Sequence, residues 1–404
     1  MVLCIAVLAI GLFAIRPRPF PEWIWPLAGA ALVISLRMEA PGAALAAVAR
    51  EWNVLLFIAG LMALSVAAEA SGAFQIIAGR VLEAARGSRR RLFVAFFLIA
   101  AVVTLLLSND ATAIALTPIV YGSVSTRDID AKPFLFACIF VANAASFGLP
   151  FSNPANVMIL PHAHLLPYVW RLGPPQLIAI AVNLLVFLFF FRRELSGCYE
   201  RTATPPVPAR GVRVLYGLAV VALAYVVALL LDWPLGAVAA LGALFVCALA
   251  GTGFRRTAAQ IGWSTFGLLA GLFVLFDALT RAGFVAWVLS RLDDALRHGA
   301  LATDAAAAAG AALFANLFNN LPVAVASARV VTHAPSDSIA YPLIVGTDIG
   351  PNLVTAGSLA TILWLQILRR YGLRVSASEY LRLGVLTVPA TLALSVLWLA
   401  AVSR

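Results

Sequence analysis

Charged residues are scarce in this chain. Only 11% of its 404 residues are charged, whereas 63% are hydrophobic. A soluble domain of this length carries roughly 25% charged residues. Apolar runs of about 15 to 20 residues recur along the whole sequence, and the ten-residue alternating segments typical of membrane β-barrels are missing. The composition therefore predicts an all-α polytopic membrane protein rather than a soluble one.

Lysine is almost absent, since Lys132 in the sequence AKP is the only one. A nucleotide-binding P-loop requires the sequence GxxxxGK[ST], so this chain has none. No Ser-His-Asp or paired-carboxylate arrangement of a hydrolase is visible either. We therefore expect a protein that is not an enzyme and that takes its energy from an ion gradient, from the gradient of its substrate or from a partner ATPase.

Cysteine and histidine are equally sparse, with four of each. No pair of cysteines has the spacing of a disulfide or a zinc site. His162 and His164 form an HxH sequence, but no third ligand lies near them in the chain. The sequence thus predicts neither a metal site nor a cofactor.

The net charge of +10 raises the question of a nucleic-acid partner. The basic residues cluster in the short connections between apolar runs and form no basic face interleaved with aromatic residues, so we expect none. Loop charge instead sets membrane orientation.

We predict about ten transmembrane helices, two of them broken, and two re-entrant hairpins whose tips lie at mid-membrane. This topology places 20 of the 28 basic residues on one side, which is therefore predicted to be cytoplasmic. Both termini are then extracytoplasmic, and the chain is a multi-pass protein of the inner (plasma) membrane. The spans are 2–15, 22–36, 53–70, 134–169 (broken), 175–191, 214–231, 233–251, 263–280, 340–368 (broken) and 383–401, and the hairpins are 92–125 and 301–331.

An internal repeat relates the two halves at an offset of 211 residues. This offset carries Trp52 onto Trp263, Gly72 onto Gly283 and the SND sequence at 108–110 onto the NNL sequence at 319–321. Each half holds five spans and one hairpin, and because five is odd the second half is predicted to insert upside down. The predicted units are a repeat at 1–191, a basic, proline-rich cytoplasmic linker at 192–213 and an inverted repeat at 214–404. Such halves are typical of secondary transporters.

Four polar segments interrupt the predicted helices at membrane depth: the two hairpin tips and the breaks at 146–156 and 346–358. Irregular backbone is tolerated there only when it is buried in protein or lines a wet cavity, so we expect the four to enclose one pocket. Asn109 and Asn320 are predicted to cap the second arm of each hairpin. Asp110 and Asp348 are the only carboxylates placed at the membrane centre. Since an ionised Asp there costs ~3 kcal/mol, we interpret both as proton-coupling residues, with helix capping as the alternative.

Several motifs resemble the ArsB arsenite/antimonite efflux family of the ion transporter superfamily. The resemblance spans roughly residues 50–395, and its most specific part lies in the second half. The motifs are GTDIGP at 346–351, GSLATILW at 357–364, SND at 108–110 with LTPIV at 116–120, SNPAN at 152–156 and FNNLP at 318–322.

The resemblance implies proton-coupled export of arsenite and antimonite, with or without a soluble arsenical ATPase as a partner. Asn143 departs from the family pattern, where an Asp is frequent, so the number of protons exchanged stays open, as does a homodimer. The expected substrate-binding residues are Ser108, Asn109, Thr112, Ser152, Asn153, Asn156, Asn319, Asn320, Thr347, Gly357 and Ser358, beside the proton-coupling Asp110 and Asp348. The alternatives are a sodium/proton antiporter or an anion/carboxylate transporter of the same superfamily, and a membrane scaffold or receptor without transport.

Overall fold

The computed structural model describes residues 1–15, 20–127, 129–200 and 208–402, and within these ranges the fold is helical without any strand. The helices of the first half are α1 (Val2–Ile15), α2 (Ile24–Ser35), α3 (Pro41–Ala49), α4 (Trp52–Ala70), α5 (Ala73–Ala85), α6 (Arg89–Leu106), α7 (Asn109–Ala111), α8 (Thr117–Ser125), α9 (Lys132–Ala144), α10 (Pro154–Ile159) and α11 (Leu165–Phe190). Those of the second half are α12 (Ala209–Leu230), α13 (Leu235–Ala250), α14 (Phe254–Gln260), α15 (Trp263–Arg281), α16 (Phe284–Leu296), α17 (Ala300–Phe318), α18 (Asn320–His333), α19 (Ala340–Ile349), α20 (Leu359–Arg370) and α21 (Ala377–Val402).

The helices confirm the predicted polytopic membrane fold. Among the described residues, six helices are long and apolar enough to cross a membrane, namely α4, α11, α12, α15, α17 and α21. A seventh candidate is the pair α13 and α14, which is bent by 118°, and α1, α2 and α9 are shorter apolar helices. One of these six helices, α17, is the first arm of the predicted hairpin 301–331.

One predicted boundary is wrong. The broken span was expected to run from 134 to 169 and the next span from 175 to 191, but the helix after the break ends at Ile159 and α11 begins at Leu165. The sequence GPP at 173–175 resembles a turn, yet α11 continues through Pro174 and Pro175. Prolines remove two hydrogen-bond donors, and membrane helices tolerate this because neighbouring groups satisfy the freed carbonyls.

The helix bounds repeat at the offset seen in the sequence. Helices α4 and α15 begin and end 211 residues apart, as do α5 and α16, and α2 and α13 begin 211 residues apart. The two long helices α11 and α21, each of 26 residues, pack against each other. The opposite membrane orientation of the two halves stays a prediction.

The halves are interlocked by exchanged helix contacts. Helix α13 packs on α4, and its counterpart α2 packs on α15. Both contacts depend on glycine: a Cβ at Gly60 would lie 2.6 Å from the carbonyl carbon of Ala239, and one at Gly271 would lie 2.5 Å from that of Pro26. Small residues let helix backbones approach closely, which is a main source of helix association in membranes.

These glycines provide a stability test. Gly60→Ala and Gly271→Ala are expected to lower the free energy of unfolding by about 1–3 kcal/mol each, because the added methyl group meets backbone atoms that cannot move aside. Gly310→Ala is the matched control, since nothing lies within 4 Å of a Cβ at that helical glycine. Thermal unfolding of the detergent-purified protein measures the effect. Equal melting temperatures for all three variants would contradict the interlock.

Candidate functional site

The first hairpin tip is built by hydroxyl side chains. Ser108 is the N-cap of α7, where its Oγ accepts a hydrogen bond from the amide of Ala111 at 3.1 Å. Thr112 opens a short π-helical turn, and its Oγ1 lies 2.8 Å from Oγ1 of Thr104 on the incoming arm α6. These contacts fix the tip and leave Asn109 and Asp110 at its end.

The second tip is attached to the break of the same half. Asn319 is the N-cap of α18, and its Nδ2 donates to the carbonyl of Ala356 at 3.1 Å. The backbone amide of Asn320 donates to the carbonyl of Gly357 at 2.9 Å. Backbone groups left unpaired at both interruptions thus satisfy each other, as membrane burial requires.

The predicted capping residues are wrong by one position in each tip. Ser108 and Asn319 cap the second arms, whereas Asn109 and Asn320 are already the first helical residues. A capping residue must have a non-helical backbone, and only the earlier position has one in each case. Because Asn319 rather than Asn320 is the cap, the Asn320 side chain is not used for capping. Its Oδ1 is buried without a hydrogen-bond partner in the described structure.

Asp348 lies at the junction of the two halves. Its side chain is 1% exposed. Its Oδ2 accepts a hydrogen bond from Oγ of Ser146 at 2.7 Å, and its Oδ1 accepts one from Nδ2 of Asn153 at 2.8 Å. The two broken segments, about 200 residues apart in sequence, are therefore joined through one carboxylate.

Two predicted binding residues of the first break serve its backbone instead. Oγ of Ser152 donates to the carbonyl of Ser146 at 2.6 Å, and Nδ2 of Asn156 donates to the same carbonyl at 2.7 Å. They hold the loop that carries Ser146 and Asn153. Oδ1 of Asn156 is buried and has no hydrogen-bond partner in the described part of the chain, which leaves an acceptor free there.

In the second break, too, some predicted binding residues stabilise the backbone and another keeps an unpaired polar atom. Ser358 caps α20, and its Oγ accepts from the amide of Thr361 at 3.1 Å. Gly357 lets the chain fold tightly, because a Cβ there would lie 2.6 Å from Cα of Pro351. Oγ1 of Thr347, next to Asp348, is buried without a hydrogen-bond partner among the described residues.

A small central cavity brings the polar segments together. Four predicted residues line it: Asn109 and Asp110 from the first tip, Asn153 from the first break and Asn320 from the second tip. Its room of about 20 Å³ is enough for one or two water molecules. Asp348 is connected to the cavity through Asn153. The other lining residues are Ile58, Met62, Pro154, Thr265 and Leu321.

Some contributors were not predicted from the sequence. Met62 and Thr265 lie in regular helices without any local signal, and they reach the cavity because α4 and α15 pack beside the tips. Asn143, singled out as a departure from the family pattern, donates from Nδ2 to Oδ1 of Asn352 at 2.9 Å. Nδ2 of Asn352 in turn donates to the carbonyl of Phe140. This amide pair links the two breaks beside Asp348.

The cavity offers amide groups, a hydroxyl and one carboxylate, and no lysine or arginine is among its lining residues. This chemistry suits a small solute with several hydroxyl groups, or a proton, better than it suits a multiply charged anion.

Comparison with known proteins decides the family. The profile of the citrate transporter family (CitMHS) matches residues 2–347. The chain belongs to this family. It is also 28% identical to an arsenical pump membrane protein of Escherichia coli over 84% of both chains, and 26% identical to one of Yersinia enterocolitica with the same coverage. These relatives confirm the ArsB resemblance seen in the motifs.

A solved structure supports the fold of this CitMHS member. The YdaH transporter of Alcanivorax borkumensis, described as having an unusual topology, superposes with a TM-score of 0.58 at 12% identity. The match covers 88% of this chain and 86% of that one. The family profile and the arsenical pump relatives establish a membrane transporter of the ion transporter superfamily.

Asn319 provides a test of how the second tip is held. Its φ of 76° and ψ of 155° belong to a region that glycine populates almost alone, and a non-glycine residue there costs about 1–3 kcal/mol. The Asn319 side chain offsets this cost with two hydrogen bonds: its Oδ1 accepts from the amide of Leu321, and its Nδ2 donates to the carbonyl of Ala356. Asn319→Ala keeps the strain and loses both bonds, so it is expected to be less stable than Asn319→Gly by about 1–3 kcal/mol. Thermal unfolding measures the order, and an Ala variant as stable as the Gly variant would show that the backbone is not strained.

Proposed function

We propose that this chain exports arsenite and antimonite, as neutral As(OH)3 and Sb(OH)3, in exchange for protons. The observation that carries the proposal is the position of Asp348. It is buried between the halves, is bonded by Ser146 and Asn153, and is connected through Asn153 to the cavity that holds Asp110. The names of the bacterial relatives support the choice of arsenicals.

Substrate recognition rests on matching hydroxyl groups with amides. A trihydroxy solute offers three donors and several acceptors, and Asn109, Asn153 and Asn320 offer both kinds of group at the cavity. The unpaired Oδ1 of Asn320 is an acceptor that a substrate hydroxyl would satisfy. Since the cavity is smaller than the solute, the tips must move apart to admit it. This motion is the alternating-access step.

Exchange follows from competition at the carboxylates. Ionised Asp110 accepts hydrogen bonds from the substrate hydroxyls, and a proton on the same carboxyl removes its charge and weakens them. Protonation from the extracytoplasmic side therefore favours release there. Asp348 acts on the cavity through Asn153. While Asp348 is ionised, its carboxylate accepts a hydrogen bond from the Asn153 amide and holds that side chain in place.

The distribution of arginine residues supports the membrane topology that we propose. The two halves insert with opposite topology in the inner membrane, both termini are extracytoplasmic, and the linker 192–213 is cytoplasmic. A soluble arsenical ATPase would meet this cytoplasmic side. Transport by the chain alone would use the proton gradient.

Carboxylate transport is the second candidate, because the matching profile is named for citrate. A citrate trianion would have to bind beside Asp110 without a basic residue among those lining the cavity. Such like-charge contacts are unfavourable in a desolvated site. The lining of the cavity therefore favours a neutral solute over citrate. A sodium/proton antiporter is a further alternative, and it would be distinguished by thermal stabilisation that depends on sodium.

Everted membrane vesicles provide the decisive measurement. With an acidic lumen, vesicles containing the wild-type protein are expected to accumulate arsenite, and a protonophore should abolish the accumulation. Asp110→Asn and Asp348→Asn are each expected to reduce it about tenfold or more, because the amide cannot exchange a proton, a loss of about 1.4 kcal/mol or more in coupling. Asp232→Asn is the control, since this exposed Asp with a φ of 53° tolerates Asn.

The outcomes separate the candidates. Accumulation that is indifferent to the protonophore excludes proton exchange. Accumulation of citrate but not arsenite supports the carboxylate reading. Unchanged arsenite resistance in cells carrying both Asp variants would favour a scaffold or receptor.

A further inference from the structure

A second, larger cavity opens on the predicted extracytoplasmic side. We call it the outer cavity; it is formed by the start of α11, helices α16, α17 and α19, the segment at 334–339 and the end of α21, and it holds about 180 Å³. Its polar lining residues include Arg171, Asp304, Ser336 and Tyr341. The Arg171 guanidinium lies over the Tyr341 ring, 4.7 Å from its centroid. Among the described residues no ion pair joins Arg171 to Asp304, so both charges face a space that suits water.

Tyr168 lies between this cavity and the central site. It precedes Arg171 by one turn of α11 and is completely buried. Its ring centroid is 6.2 Å from that of Tyr341, which lines the outer cavity. Its hydroxyl has no hydrogen-bond partner among the described residues. A buried, unpaired hydroxyl destabilises the folded protein, so its presence calls for an explanation.

The geometry of α19 explains how one side chain reaches both places. Tyr341 and Asp348 are seven residues apart on this helix, so they lie on one face and about 10.5 Å apart along its axis. Helix α11 packs against α19. The Tyr168 side chain therefore lies along the stretch of α19 that separates the outer cavity from Asp348.

The opposite direction from Asp348 is closed by packed groups. There the Asn143–Asn352 pair is followed by aromatic rings, with Phe140 and Tyr380 at 4.8 Å and Phe136 and Trp364 at 5.6 Å between centroids. On the side of the outer cavity, Tyr168 is thus a polar group that leads away from Asp348 toward a water-sized space, as Asn153 does on the side of the central cavity.

We propose that Tyr168 relays protons between water in the outer cavity and Asp348, an inference that rests on the proton exchange proposed above. The step requires a movement that brings the Tyr168 hydroxyl into hydrogen-bond contact with Asp348 and admits water from the outer cavity beside it. The Tyr168 O–H bond then breaks as its proton passes to an Asp348 carboxylate oxygen. At the same time the Tyr168 oxygen takes up a proton from a hydronium ion that has entered from the outer cavity. Tyrosine ends unchanged, Asp348 becomes neutral, and the hydronium ion becomes water. Release follows the same steps in reverse.

Tyr168→Phe tests the relay in proteoliposomes. The variant is expected to slow proton-driven arsenite accumulation about tenfold or more. Arsenite counterflow, which exchanges labelled for unlabelled substrate without net proton movement, is expected to stay within about twofold of wild type. Tyr225→Phe is the matched control: the hydroxyl of this buried tyrosine also has no partner within the described ranges, but its ring packs between Phe57 and Phe151. It is expected to behave as wild type in both assays.

The two assays separate the failures. If the wild-type protein accumulates no arsenite under a proton gradient, the proposed exchange itself is wrong. If wild type does so and Tyr168→Phe matches it, the relay is overturned. A parallel loss of counterflow and accumulation also overturns it, since that would indicate a structural role. Tyr168→His, which retains a group able to pass protons, is the second variant should the Phe variant not fold, and it must preserve at least part of the proton-driven flux.

Discussion

Backbone polar groups have no water to bond with inside a membrane, and this constraint determines the centre of the structure. Each interruption of a helix frees amides and carbonyls that must find partners in the protein. They find them in nearby side chains and in other interrupted segments: Nδ2 of Asn316 on α17 donates to the carbonyl of Gly350, and its Oδ1 accepts from the amide of Val354. The same logic joins Asn320 to Gly357 and Ser152 to Ser146. Oδ1 of Asn156, Oδ1 of Asn320 and Oγ1 of Thr347 remain without a partner among the described residues.

The scaffold is repeated, but its acids are not. Asp110 corresponds to Leu321 at the 211-residue offset, and Asp348 lies in the second break near the counterpart of Asn143. The consequence is that one tip carries a carboxylate and the other an unpaired amide, while Asp348 is held by side chains of the first half. A symmetric framework thus encloses an asymmetric site.

Much of this architecture follows from the sequence, because apolar runs and polar interruptions have strong local signals. The 211-residue offset, the two tips and the broken segments are all visible in the residue order. Other features depend on tertiary contacts. The passage of α11 through Pro174 and Pro175 overrides a turn-like sequence, and the caps at Ser108 and Asn319 depend on backbone angles that residue types alone do not specify. Met62 and Thr265 join the cavity only through helix packing.

The exchanged contact of α2 with α15 has a consequence for synthesis. Helix α2 is complete at Ser35, whereas its partner begins at Trp263. At a ribosomal rate of about 5–20 residues per second, α2 waits on the order of 10–50 s before α15 exists. During that time its Gly29-containing face has only lipid or α1 to contact. The first pair of helices is therefore inserted early and docked late, since α2 cannot reach its final position until α15 has left the ribosome.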